Sequence, residues 1–310
     1  MATFQIPDVH DFSGLLKRAQ EKASDTKPRA ALIVPSETKT LLAFLKATAL
    51  GLIDPTIIGD EALLTTNAKT DNLDLGGVKV IDVNQPDVAL ATAAKMAEAG
   101  EINMLVQGRM DWDELVVRLS ESESSFVARG HMLTHIGVLK PSEYPKLLMI
   151  TDGLVNAQPD LKTKLGILGN LGKASDAFGL PNPRTAVVTA VEAIYPQMPA
   201  TCDGAVLAKM SERGQIKGVV VDGPLSFDVA IDREAAESKG ITNSSVAGEA
   251  DAMLASSKQV AQGIYHAMSL YATCDTGGVL VGGRVPVAIN SVTDSHDSRF
   301  HSICLAVLLS

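Results

Sequence analysis

The sequence predicts an α/β protein of two domains, in which short apolar strands alternate with amphipathic helices to form parallel-rich sheets. Apolar runs such as 30–34 and 55–59 are separated by segments with helical spacing, and this alternation is typical of a parallel sheet. The alternation is interrupted between residues 121 and 145, beginning with the polar stretch 121–125, and resumes at Lys146. A length of 310 residues is sufficient for one large domain or two of ordinary size.

The elements of the first half follow from local patterns. The opening helix, 11–23, places Phe12, Leu15 and Ala19 on one face. Pro35-Ser36-Glu37 is a helix start, and Gly51 ends that helix. In order, we then predict strand 30–34, helix 37–50, strand 55–59, strand 78–83, the alanine-rich helix 86–99, strand 104–106 and a helix around Trp112–Leu119.

The second half repeats the alternation. Residues 133–139 are predicted to form a strand that ends in a turn at 140–143. The elements that follow are strand 146–151, helix 159–174, strand 185–189, helix 201–214, strand 219–221, a helix starting at Asp232, strand 248–254, helix 258–271, strands 278–281 and 285–289, and the apolar helix 298–309.

Composition excludes several classes of function. The net charge is −9, no basic run occurs and only 4% of residues are aromatic, so we expect no nucleic-acid partner. No run of about 18 apolar residues occurs, and the N-terminus lacks the apolar core of a signal peptide, so we expect no membrane span. Three widely spaced cysteines indicate reduced thiols and a cytoplasmic protein.

One long stretch carries a family pattern. Asp222-Gly223-x-Leu-x-x-Asp228-x-Ala is followed by Val-Ala-Gly-x-Ala-Asp at 246–251, and it is preceded by Asp152-Gly-x-x-Asn156-x-x-Pro. These motifs, in this order and spacing, resemble the phosphate acetyl/butyryl transferase family.

The resemblance implies an enzyme that exchanges a short acyl group between coenzyme A and inorganic phosphate. Acyl-coenzyme A and phosphate are then the small-molecule substrates, and no cofactor is permanently bound. It also implies the fold of isocitrate and isopropylmalate dehydrogenases, whose C-terminal segment returns to the first domain, and a homodimer formed through the second domain. We therefore expect one domain of residues 1–138 plus 291–310, a second of 139–290, and a cleft between them.

Two departures from the family pattern leave an alternative open. Residues 255–262 replace a family segment of the form Pro-Asp-x-Glu-x-Gly-Asn, and Val292 stands where butyryl-type members have the arginine of Ser-Arg-x-Asp-Ser. The alternative is a non-catalytic or repurposed member that binds a coenzyme A derivative or another anion. A dehydrogenase of the same fold is a third possibility, but the chain has no nicotinamide-binding fingerprint.

The segment before the last helix supplies the candidate catalytic residues. Attack by a thiol needs a base, and a departing phosphate needs N–H or cationic partners. Asp294 follows a strand and is surrounded by hydroxyls, while Asp297 is a rival base. The free N–H groups at the start of the helix are suited to an anion. Alternatively, Asp294 and Ser295 are only helix caps. The predicted catalytic residues are Asp294, Asp297 and Ser291, with Ser295, Arg299 and Arg109 as substrate contacts.

Further candidates lie near other strand ends and in the family motifs. Each has a structural alternative, because Asp and Asn at strand ends and helix starts often cap the backbone. His131 and His135 could share a strand face, but without a third ligand we predict no metal site. The remaining predicted substrate contacts are Thr134, Asp152, Asn156, Asp222, Gly223 and Asp228.

Overall fold

The computed structural model describes residues 9–35, 37–121 and 126–310, so the polar stretch 122–125 lies outside the described residues. The chain divides into two compact units. Unit I consists of Phe12–Leu133 together with Asp275–Ser310, and unit II is built around Thr134–Cys274.

Unit I alternates strands and helices as predicted and adds one helix that the sequence pattern did not reveal. Its helices are α1 (Phe12–Asp25), α2 (Thr38–Ala49), α3 (Glu61–Thr70), α4 (Pro86–Glu98), α5 (Trp112–Ser120) and α11 (His296–Leu309). Its strands are β1 (Arg29–Ile33), β2 (Asp54–Gly59), β3 (Lys79–Asp82), β4 (Met104–Gln107), β10 (Cys274–Val281) and β11 (Val287–Ala288).

The strands of unit I are ordered β3-β2-β1-β4-β11-β10. All neighbouring pairs are parallel except β10 and β11, which run antiparallel. The register aligns the strand ends, because Ile33 pairs with both Ile58 and Gln107, and Ala288 pairs with Val106. The loops after β1, β4 and β11 therefore emerge side by side at one edge, where parallel sheets bind ligands.

The C-terminal helix α11 packs against α1 and α2 in unit I. Its second half, from Ile303 to Leu309, is apolar throughout, and a helical segment of this kind is normally buried. Phe300, Ile303 and Leu305 are all buried, and each such side chain contributes about 1.5–3 kcal/mol when fully removed from water. Its C-terminal end is held by Lys22, whose Nζ donates to the Leu308 carbonyl oxygen at 2.9 Å. The start of α11 is thereby fixed beside the loop edge of unit I.

Unit II contains a second, mostly parallel set of strands, ordered β5-β6-β9-β7-β8, in which only the β5–β6 pair is antiparallel. Its strands are β5 (Thr134–Pro141), β6 (Leu148–Thr151), β7 (Arg184–Val188), β8 (Val220–Leu225) and β9 (Ala252–Ala255). Its helices are α6 (Leu161–Phe178), α7 (Pro199–Glu212), α8 (Phe227–Ile231), α9 (Arg233–Ser238) and α10 (Lys258–Tyr271).

The unit boundaries fall at 133/134 and 274/275, whereas the sequence-based domain boundaries were placed at 138/139 and 290/291. Residues 275–290 group with unit I because of strand pairing. Leu280 of β10 pairs with Val287 of β11, and Val287 pairs in turn with Leu105 of β4. This pairing is between segments far apart in sequence, so local patterns did not reveal it.

Candidate active site

Three neighbouring loops of unit I form a cleft at the carboxyl ends of β1, β4 and β11. The cleft has a volume of about 470 Å³. Its size is in the range of small-molecule sites. The lining residues come from the start of α2, the loop after β4, the start of α5, the loop after β11 and α11: Glu37, Gln107, Gly108, Arg109, Met110, Asp111, Glu114, Asn290, Val292 and Arg299.

The loop after β11 is held to the loop after β4 by hydrogen bonds on both sides of Asn290. Gln107 Oε1 accepts from the Asn290 backbone N at 2.9 Å, and Gln107 Nε2 donates to the Met110 carbonyl oxygen at 2.7 Å. The indole Nε1 of Trp112 donates to the Asn290 carbonyl oxygen. Such buried, satisfied contacts rigidify a loop, so Asn290 begins a fixed rather than a loose turn.

Asp294 is buried in this turn. Its Oδ2 accepts from the Ser291 backbone N at 2.8 Å and from Asn290 Nδ2 at 3.2 Å. The helix cap is Ser295, whose Oγ accepts from the Ser298 backbone N at 3.0 Å. The helix cap is therefore Ser295, while the Asp294 carboxylate closes the turn that precedes the helix. Ser291 lies on the same turn, with its Oγ 3.0 Å from Thr293 Oγ1.

Arg299 links the same loop to the start of α2. Its Nη1 donates to Thr40 Oγ1 at 3.0 Å, and its Nη2 donates to Glu37 Oε1 at 2.9 Å and to the Ser291 carbonyl oxygen at 3.1 Å. The guanidinium is buried and its charge is matched by Glu37. The sequence analysis named Arg299 as a site residue but not Glu37 and Thr40. The available signal was their position at the start of the helix that follows strand β1.

Asp297, the rival base, lies in the first turn of α11 with its side chain 67% exposed. Lys46 Nζ lies 3.4 Å from Asp297 Oδ1, and His296 Nδ1 lies 3.3 Å from it. Burial alone would raise the pKa of Asp297, but the hydrogen bonds from Lys46 and His296 outweigh it and hold that pKa below its usual value. A carboxylate with a lowered pKa is a weaker base.

Arg109 is exposed at the rim of the cleft, and its guanidinium makes no hydrogen bond or ion pair with any residue of the described chain. Two of the three acidic residues of the cleft are in ion pairs, and the third caps a helix. Glu37 pairs with Arg299, Asp111 Oδ1 accepts from the Asp113 N at 2.9 Å, and Glu114 pairs with Arg118 at 3.2 Å. Arg109 therefore offers the cleft a guanidinium that has no ion-pair partner among the described residues.

The second group of predicted site residues lies in unit II and begins with a loop after β6. Asp152 is buried, and its Oδ1 accepts from the backbone N of Leu154 at 2.9 Å and of Val155 at 3.0 Å. Its Oδ2 accepts from Asn156 Nδ2 at 2.6 Å. Burial raises the pKa of Asp152 although these hydrogen bonds act in the opposite direction. These contacts fix the shape of the loop 152–156.

Thr134 is fully buried at the start of β5, where its Oγ1 accepts from Asn170 Nδ2 at 2.9 Å. The neighbouring His135 is also buried, and burial lowers the pKa of its imidazole to about 3. The imidazole is therefore neutral at ordinary pH. Across the described residues no group of three or more His, Cys, Asp or Glu side chains is arranged to hold a metal ion.

Asp222 and Asp228 take part in separate contacts. The Asp222 Oδ1 accepts from the next backbone N, that of Gly223, at 2.8 Å. Asp228 lies 2.9 Å from Lys239 Nζ and accepts from Ser226 Oγ at 2.5 Å. The Ser226 hydrogen bond, and then the one from Lys239, lower the pKa of Asp228 to about 2.

Asp222 does not cap a strand end, and Asp228 is not the N-cap of a helix. Asp222 lies inside β8, because the strand continues to Leu225, which pairs with Val188. The N-cap of α8 is Ser226, and Asp228 lies in the first turn.

Gly223 is required by packing within the sheet, and Gly223→Ala tests this. A Cβ at this position would lie 2.8 Å from Val187 Cβ on the neighbouring strand. We expect Gly223→Ala to lower the free energy of unfolding by about 1–3 kcal/mol, the usual cost of overpacking. Urea unfolding measures the change.

The matched control is Gly169→Ala in α6, where no atom lies within 4 Å of the added Cβ. This control should raise the free energy of unfolding by about 0.5–1 kcal/mol, because alanine favours helix over glycine. A Gly223→Ala protein as stable as the wild type would show that close packing is not the reason for this glycine.

The fold of the chain is shared with a protein of known structure. A branched-chain phosphotransacylase from Enterococcus faecalis V583 superposes with a TM-score of 0.75, covering 90% of this chain and 98% of that one at 23% sequence identity. The likeness establishes the α/β fold. The further comparison with isocitrate and isopropylmalate dehydrogenases stays a prediction. Within the described residues no helix is both long and apolar enough to cross a membrane.

Sequence comparison places the chain more narrowly. A phosphate butyryltransferase from Clostridium beijerinckii is 34% identical over 300 residues, which cover 97% of this chain and 98% of the relative. A phosphate acetyltransferase from Rhizobium meliloti is 34% identical over 274 residues, which cover 88% and 86%. The sequence model of the phosphate acetyl/butaryl transferase family matches residues 86–307, and the chain belongs to that family.

Proposed function

We propose that this protein exchanges a short acyl group between coenzyme A and inorganic phosphate. The observation that carries the proposal is the cleft of unit I, where the loops after β1, β4 and β11 meet and the guanidinium of Arg109 has no ion-pair partner among the described residues. Phosphate, acyl phosphate and coenzyme A are all anions. An unpaired guanidinium at the carboxyl edge of a parallel sheet is suited to bind them.

In this proposal the thiol sulfur of coenzyme A attacks the acyl carbon of the acyl phosphate. The carbon–sulfur bond forms, the bond from carbon to the phosphate oxygen breaks, and the base receives the thiol proton. Asp294 is favoured over Asp297 as the base, since Lys46 and His296 lower the pKa of Asp297. Ser291 and Arg109 contact the departing phosphate, and Arg299 orients the loop that carries Ser291.

The predicted substrate contacts of unit II have a structural role in this proposal. Asp152 and Asn156 shape the loop after β6, and Thr134 anchors β5 through Asn170. Asp152 and Asn156 bind each other and Thr134 binds Asn170, so in this proposal these three side chains shape unit II rather than carry the chemical step.

We further propose a cytoplasmic homodimer that associates through unit II. Exposed apolar side chains are found on α7, on the loop before it and on the strand β8 that packs against α7: Ile194, Tyr195, Met198, Val206 and Val220. An apolar surface of this kind is typical of an association surface. The three cysteines are unpaired with one another, which supports a reducing compartment.

The alternative is a member of the family that binds coenzyme A or another anion without transferring the acyl group. Val292 favours this alternative, because an exposed valine lines the cleft at the position where the resemblance to the family implies an arginine, and Arg299 is neutralised by Glu37. A binder without turnover would retain Arg109 and the cleft.

A thiol-release assay decides between the two. The purified protein is given acetyl-, propionyl- or butyryl-coenzyme A with and without phosphate, and free thiol is measured over time. We expect phosphate-dependent release with at least one of the three. Absence of phosphate-dependent release with all of them, from a folded protein that still binds coenzyme A, would favour the binder.

A further inference from the structure

A second cavity of unit I adjoins the cleft and shares Arg109 with it. Its volume is about 330 Å³, within the range of small-molecule sites. It opens at the carboxyl ends of β1, β2 and β3, next to the starts of α3 and α4. The lining residues are Val34, Pro35, Gly59, Asp60, Leu63, Leu64, Val83, Asn84, Pro86 and Arg109.

The walls of this cavity are mostly apolar, with two prolines, two leucines and two valines. The amide of Asn84 and the carboxylate of Asp60 provide acceptor oxygens in the lining. Apolar walls with a few placed acceptors suit a flat heteroaromatic ring that carries an amino group.

The start of α3 does not suit a phosphate. Its Glu61 backbone N donates to Asp82 Oδ1 at 3.1 Å, and its Leu63 backbone N donates to Asp60 Oδ1 at 2.8 Å. These N–H groups are occupied, and the nearby carboxylates repel a further anion. An anionic part of a ligand is therefore directed towards Arg109, on the side shared with the cleft.

The backbone that positions Arg109 is unusual. Val34, directly after β1, has a φ of 50°, and a β-branched residue rarely adopts this left-handed conformation. Its carbonyl oxygen accepts from the Arg109 backbone N at 2.9 Å. Gly108, directly before Arg109, lies so close to the backbone of residues 33 and 34 that a Cβ at this position would collide with the carbonyl oxygens of Ile33 and Val34. Strain of this kind is concentrated at ligand sites, which is consistent with Arg109 being held for binding.

We propose that this cavity binds the adenosine end of coenzyme A, with Arg109 contacting a phosphate group where the cavity meets the cleft. This inference rests on the proposed function, since it takes coenzyme A as the substrate. An acyl chain of a few carbons is a poorer occupant, because the cavity is much larger than such a chain and the acceptor oxygens of Asp60 and Asn84 would lose water without gaining partners. The thiol end of the molecule then lies in the cleft, beside the loop 290–294.

The test blocks the cavity without disturbing the core. Leu63 lines the cavity and is 47% exposed, so Leu63→Trp adds a ring from the solvent side. Leu50→Trp is the matched control, because Leu50 is 45% exposed in the same unit and lines neither the cavity nor the cleft. For each protein, turnover is measured with acyl-coenzyme A and with acyl-pantetheine, which lacks the nucleotide. Binding of coenzyme A and of adenosine 3′,5′-bisphosphate is measured by calorimetry.

We expect Leu63→Trp to raise the KM for acyl-coenzyme A and weaken binding of both nucleotides by about tenfold or more, which corresponds to about 1.4 kcal/mol. Turnover of acyl-pantetheine should be unchanged, and Leu50→Trp should behave as the wild type. Two results would overturn the inference: unchanged nucleotide binding by Leu63→Trp, or an altered preference for acyl length with both thioesters, which would assign the cavity to the acyl chain. If the wild type shows no turnover, the proposed function fails, and calorimetry still decides whether the cavity binds adenosine.

Discussion

Replacing Asp294 by asparagine is expected to reduce phosphate-dependent turnover of acyl-coenzyme A by about 10²–10⁴-fold, the usual contribution of a general base. The carboxylate is held in place by the Ser291 backbone N and by Asn290 Nδ2. An amide of the same shape cannot accept the thiol proton, so the thiolate would have to form without help from the protein. Initial rates under saturating substrate measure the loss.

The substitution also changes a buried hydrogen-bond acceptor, and a pH profile separates the two effects. If Asp294 is the base, the acid limb of the kcat/KM profile of the wild type disappears in Asp294→Asn, because that limb reports the free base. A purely structural role would lower the rate by a similar factor at every pH.

Asp297→Asn is the matched control, since it makes the same chemical change three residues away on the exposed side of α11. We expect it to reduce turnover by less than about tenfold, or about 1.36 kcal/mol of activation free energy. A larger loss with Asp297→Asn than with Asp294→Asn would reverse the assignment of the base. Equally large losses of turnover in both variants would indicate that the reaction depends on the intact start of α11 rather than on one carboxylate.

Most helices and strands could be predicted from the sequence, because their patterns of apolar residues are local. Helix α11 is apolar from Ile303 to Leu309 and is mostly buried there, and α10 runs from Lys258 to Tyr271 as its periodicity predicts. Helix α3 was missed because it buries little more than Leu64 and Ala68, so its apolar periodicity is weak. Its N-cap, Asp60, was nevertheless a readable signal.

The candidate site was less accessible because its contacts join distant segments. Arg299 and Glu37 are 262 positions apart, and Asn290 and Gln107 are 183 apart. Each residue type was compatible with a site, but only the pairing of β1, β4 and β11 brings their loops to one edge. The distinction between Ser295 as the cap and Asp294 as the turn-closing carboxylate likewise depends on one residue of helix register, which sequence patterns do not resolve.

Val292→Arg is expected to raise phosphate-dependent turnover by about ten- to a hundred-fold, because a charge-assisted contact contributes about 1.5–3 kcal/mol. A guanidinium provides paired N–H donors to a phosphate, whereas valine provides none. Val292 lines the cleft and is 77% exposed, so the new charge stays hydrated before substrate binds. Two of the cleft carboxylates, Glu37 and Glu114, are already in ion pairs, so they compete less for the added arginine.

Two further variants show whether a gain in turnover comes from the position and shape of the added arginine or only from its charge. Val117→Arg adds the same charge to unit I at a 58% exposed position of α5 that does not line the cleft, so it isolates the effect of net charge. Val292→Lys adds a point charge without the planar fork, and should recover less of the effect. A lower KM for phosphate or a higher kcat in Val292→Arg alone would show that the cleft handles phosphate at position 292. If Val292→Arg is folded but its turnover is unchanged, the missing arginine is not what limits the reaction. That result would favour the non-catalytic binder.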